Sequence, residues 1–101
     1  MRLMLESVSG VVAALSEGDM AGAAQAARAS GMAAAVDVEP AVRALLPAAF
    51  VELGMATHQG FDSLADQLGQ PVEQQTALAE LATLMQKCVA CHATYRADEA
   101  P

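Results

Sequence analysis

The chain has no tryptophan and only three aromatic residues, Phe50, Phe61 and Tyr95. A core with so few rings is filled by Ala, Leu, Val and Met and is thin; a bound apolar cofactor would fill it well. Short alternating runs of β-branched residues are missing, which argues against strands. Basic residues are also scarce: 5 Lys and Arg face 12 Asp and Glu, a formal charge of −7. That balance argues against nucleic acid and against anionic membrane surfaces, both of which need a basic face. It suits electrostatic docking to a basic partner. No apolar stretch approaches the ~20 residues of a spanning helix, so no membrane insertion is expected. The opening Met1-Arg2-Leu3-Met4-Leu5 has one basic residue and soon reaches Glu6, so it does not read as a full secretory signal. A removed leader would leave no trace.

What is present is alanine, with Leu, Met, Gln and Glu behind it, all good helix formers. The 101 residues form one domain, 1–101, without internal repeats or linkers. Leu5, Val8, Val12 and Leu15 recur at helical spacing, as do Met4, Val8, Val11 and Leu15, and predict a first helix over 1–17. Gly18 ends it and Asp19 caps a second, alanine-rich helix over 20–30. Small side chains there allow close helix approach. Residues 31–46 are less regular. Glu39 before Pro40 is disfavoured as helix, and Pro40 and Pro47 are helix-start signals. Leu46, Phe50, Leu53, Thr57, Phe61, Leu64 and Leu68 line one stripe of a long third helix, broken at Gly69-Gln70-Pro71. A fourth runs from about Pro71 to Tyr95, its inward stripe read as Leu78, Leu81, Met85, Cys88 and His92. The expected architecture is an all-α, antiparallel four-helix bundle.

Cys88 and Cys91 are the only cysteines, and His92 follows them. On a helix, positions i, i+3 and i+4 share a face. Two thiols one turn apart can add across the two vinyl groups of one haem, giving two thioethers, and the adjacent imidazole can take the iron. Two cysteines separated by two residues and followed by histidine read as c-type haem attachment. A thioredoxin-like pair would sit at a helix start in a βαβ setting. Zinc would need a fourth ligand and usually a second ligand pair, whereas His58 is the one other histidine. A disulfide across so short a helical loop would distort the helix. Two incidental cysteines beside a surface histidine is the bland alternative.

The run Cys88-Val89-Ala90-Cys91-His92-Ala93-Thr94-Tyr95-Arg96, near the C-terminal end of a helical chain, resembles the cytochrome c-prime family, the class II c-type cytochromes. The likeness is strong over 84–96, reasonable in helix pattern from 47 to 96, and loose before that. It implies a four-helix bundle enclosing one covalent haem c, in a bacterial periplasm. It implies attachment through Cys88 and Cys91 and a proximal ligand in His92, with Arg96 near the haem edge and Tyr95 packing. Met85 is expected in the core beside the haem. The chain is short around 31–46, and the arginine-bearing lead-in of the family is missing or compressed into Arg2.

The distal side divides the family. Low-spin members place a first-helix methionine on the iron and carry electrons; high-spin members leave that face open or cover it with an apolar side chain and bind NO or CO. Met4 shares a face with Val8, Val11 and Leu15 and is the favoured metal ligand here. Met1 fits the spacing about as well but is chain-terminal. A methionine on an apolar face is also ordinary filler. With neither bound, Leu5 or Val8 would cover a five-coordinate iron. His58 is a further sixth-ligand candidate, read instead as a rim or solvent-facing histidine. No nucleophile–base–orienter set is visible, so the expectation is an electron carrier and not an enzyme, docking to redox partner proteins, with NO/CO binding as the alternative. The second helix suits a homodimer contact or close packing inside the bundle equally.

Overall fold

The computed structural model describes residues 2–35 and 40–95. Among them the chain is all-helical, with six segments: α1 (Arg2–Ser16), α2 (Met20–Arg28), α3 (Met32–Ala35), α4 (Pro40–Arg43), α5 (Ala48–Leu68) and α6 (Gln74–Thr94). The irregular stretch holds the two one-turn pieces, and Pro40 opens the second of them. The expectation at Glu39 lies outside the described residues.

α1 ends as the sequence suggests. Gly18 takes φ 72°, and the paired bonds Gly18 N–H to Leu15 O and Asp19 N–H to Ala14 O close the last turn. Asp19 then caps α2, its carboxylate accepting from Gly22 N at 2.9 Å. The two helices lie close: a Cβ at Gly10 would stand 3.0 Å from the Ala26 methyl. Ala23 and Ala27 of α2 are fully buried. Their small side chains let the backbones approach, as the alanine-rich second helix implied.

Arg28 of α2 reaches Asp62, and Ser30 just beyond α2 reaches His58, so α2 runs antiparallel to α5. Leu84 of α6 crosses Gly60 of α5, and Tyr95 packs edge-on against Phe50 with centroids 5.2 Å apart. These pairings make α6 antiparallel to α5. Gln74 at the start of α6 donates to the carbonyl of Leu15 at the end of α1, so α1 runs back alongside α6. The core gathers Val11 and Leu15 of α1, Ala23 and Ala27 of α2, Phe61, Leu64 and Leu68 of α5, and Ala77, Leu81 and Leu84 of α6. Phe61, fully buried, is its largest side chain and stabilises by about 1.5–3 kcal/mol. Packing is uneven: α2 contacts both α1 and α5 extensively, whereas α1 touches α6 only lightly.

Candidate functional site

α6 carries the cysteine–histidine run, and its inward stripe differs from the one read from sequence. The buried positions are Ala77, Leu81 and Leu84, and the same heptad-like spacing continues through half-buried Cys88, Cys91 and Tyr95. Leu78, Met85 and His92 are exposed. Met85 is therefore not a core residue: it is 38% exposed. The cause is partner geometry. α5 meets α6 on the flank bearing Leu84, so the opposite flank, Leu78, Met85, Val89 and His92, turns away from α5 and is exposed. α1 presents a matching row: Leu5 and Val12 are exposed, and Met4 and Val8 are half-buried. α1 and α6 thus each carry an exposed apolar row and touch one another only lightly, while Met4 and Val8 of α1 also pack against the core.

Axial position follows from helix rise. Counting from the contact between Gln74 and Leu15, Cys88 lies about 21 Å up α6 and Met4 about 16 Å back along α1. Side chains lean towards the N-terminus of their own helix, and these helices run in opposite directions, so Met4 and the cysteine pair lean to a common level. Cys88 and His92 share one face of α6, with Cys91 between them. Neither cysteine is in a disulfide. Burial, and next the neighbouring Cys91, push the Cys88 thiol above its ordinary value. A thiol held neutral is the reverse of the low-pKa nucleophile of thiol exchange.

Gly54 was not singled out from sequence. It lies in mid-helix on the inward stripe of α5, between Phe50 and Thr57 and roughly level with Cys91 by the pairings of Gly60 with Leu84 and Phe50 with Tyr95. A Cβ built on it would meet nothing within 4 Å. Glycine costs ~1 kcal/mol against alanine in a helix interior, so a space at that position needs a reason.

Half-buried thiols, exposed apolar rows on α1 and α6, and open space at Gly54 leave room for a flat apolar cofactor. Among the described residues no group of three or more His, Cys, Asp and Glu side chains could hold a metal ion. Met1 and Arg96 lie outside the described residues. Met20, Met32 and Met55 are half-buried and belong to α2, α3 and α5. His58 is half-buried and not solvent-facing: its Nδ1 stands 2.7 Å from the carbonyl of Ser30. Tyr95 packs on Phe50, and its N–H bonds Cys91 O at 2.7 Å, which fixes the end of the motif helix.

A scan against protein-family models, a search of curated proteins and a search of solved structures each gave no match to this chain. Among the described residues no helix is long and apolar enough to cross a membrane.

Proposed function

We propose that this chain is a periplasmic haem c protein that carries single electrons between redox partners, its long helices forming a four-helix bundle around the cofactor. The observation that carries the reading is Cys88, Cys91 and His92 on one stretch of α6, the two cysteines half-buried and the helix only lightly in contact with α1. Cys88 and Cys91 would tether the porphyrin by addition of each S–H across a vinyl group, forming a C–S bond and placing the proton on the neighbouring carbon. His92 would hold the iron on the α6 side and Met4 on the α1 side. Haem supplies a one-electron ferric–ferrous couple.

The chain's own residues do the rest. Leu5, Val8, Val12, Leu78, Met85 and Val89 would close over the cofactor and exclude water, and a dry, low-dielectric setting together with thioether ligation raises the reduction potential. A ligand retained in both oxidation states keeps structural change small. The acidic surface favours a redox partner with a basic docking face. The light contact of α1 with α6 favours a second reading, a five-coordinate protein that binds NO or CO on the α1 side.

Replacing Met4 by alanine in the haem-loaded protein separates the two. Under the carrier reading the parent is low-spin with a weak long-wavelength thioether band when ferric, and M4A loses that band and binds CO when reduced. A high-spin parent that binds CO as fast as M4A sinks the carrier reading in favour of gas binding.

A further inference from the structure

The corner between α2 and α3 is bolted to α5 at three points. Arg28 pairs with Asp62 and Asp66, the Met32 N–H donates to the Asp62 carboxylate at 2.8 Å, and His58 bonds the Ser30 carbonyl. A carbonyl only accepts, so His58 Nδ1 carries the proton. Gly31 brings the corner flush: a Cβ there would strike the Asp62 carboxylate.

The hold extends to α1. Ser30 is fully buried, and its hydroxyl meets the Ser7 hydroxyl at 2.6 Å and donates to the Leu3 carbonyl at 3.3 Å. Ser7 is buried as well. Two serines in an interface of alanine and leucine are costly to desolvate unless bonded, and exchanging both for apolar residues is close to neutral for stability. Their gain lies in position. Leu3 and Ser7 flank Met4 on the first turns of α1, where a helix end otherwise frays.

From this geometry we infer that Ser7, Ser30 and His58 are positioning residues for Met4: a chain of bonds from α5 through the α2–α3 corner fixes the first turns of α1 and thereby holds the Met4 thioether on the distal side. The inference rests on the haem reading above.

The test uses the haem-loaded protein with four changes: S7A/S30A together, His58→Leu, His58→Asn and M4A. Asparagine places an N–H near the position of Nδ1 and so serves as the conservative rescue. The readouts are the ferric thioether band and the rate of CO binding to the reduced protein, with thermal melting followed alongside. S7A/S30A and H58L should weaken the band and speed CO binding by about tenfold or more, the usual scale for loss of an outer-shell contact. H58N should return both towards the parent, and S7A/S30A should melt near it. If M4A abolishes the band while S7A/S30A and H58L leave band and rate at parental values, the positioning role is overturned and the haem reading stands. If M4A itself changes neither readout, Met4 is not the ligand, and the positioning role falls together with the Met4-ligated carrier reading, while covalent haem at Cys88 and Cys91 stands.

Discussion

Replacing Gly54 by leucine should have opposite effects on the haem-free and haem-loaded protein. In the haem-free chain the substitution removes a helix-interior glycine, a gain of about 1 kcal/mol. It also adds four carbons on the inward stripe of α5, where a Cβ meets nothing within 4 Å. At about 0.8 kcal/mol per buried carbon, and with Gly54 only half-buried, that contributes about 1.5 kcal/mol more. The sum, about 2.5 kcal/mol, should raise the melting temperature by at least ~10 °C for a domain of this size. On the haem reading the same space is the cofactor's in the loaded protein, and the added carbons would overpack it at a cost of about 1–3 kcal/mol. The assay is thermal unfolding by circular dichroism on chain made without haem attachment and on loaded protein, with G54A as the control for helix propensity alone. Equal stabilisation of both forms by G54L would show that the space beside Gly54 is not the cofactor's and would refute the reasoning.

Phe61→Ala removes the largest fully buried side chain and should cost about 3–5 kcal/mol, measured by denaturant unfolding. That is a large share of the ~5–15 kcal/mol a domain of this size possesses, so a loss under 1 kcal/mol would contradict the packing described. Tyr95→Leu should cost about 1 kcal/mol through loss of the edge-to-face pair with Phe50, and Phe50→Leu in that background should add little of that aromatic term, a double-mutant cycle that an additive result would contradict. The Asp62 carboxyl is held below its ordinary 3.8, first by the Met32 N–H and then by Arg28. A depressed carboxyl pKa gives stability that is present above the unfolded value and lost as pH falls through the folded one, so stability should decline as pH falls below about 4, and the decline should be shallower in D62N.

Periodicity made most of this fold legible before any coordinates. Of the stripe read from Leu46 to Leu68, Thr57, Phe61, Leu64 and Leu68 are buried on α5 while Leu46, Phe50 and Leu53 are half-buried, and Gly18 with Asp19 makes the turn between α1 and α2 as glycine and aspartate signals imply. The cysteine–histidine run stands out in the sequence by its spacing, and the structure places it on α6. Which flank of α6 turns inward was not. Two apolar rows, one through Leu81 and one through Leu78 and Met85, both have helical spacing, and only the placement of α5 against Leu84 decides between them. The buried Ser7–Ser30 pair gave no signal, because serine is commonplace on helix surfaces and its partner lies 23 residues away. His58, whose neighbours Gly54 and Asp62 imply a rim or solvent-facing position, is half-buried; its bond to the Ser30 carbonyl has no sequence signal because it depends on the α2–α3 corner folding back onto α5.

The account depends most on covalent haem at Cys88 and Cys91, and the mass of the intact protein tests it directly. The chain is produced with a c-type haem attachment pathway and then unfolded in acid before weighing. One haem above the 10.3 kDa polypeptide, retained through unfolding and lost when both cysteines are changed to alanine, is the predicted result. A colourless protein with the mass of the bare chain would contradict it.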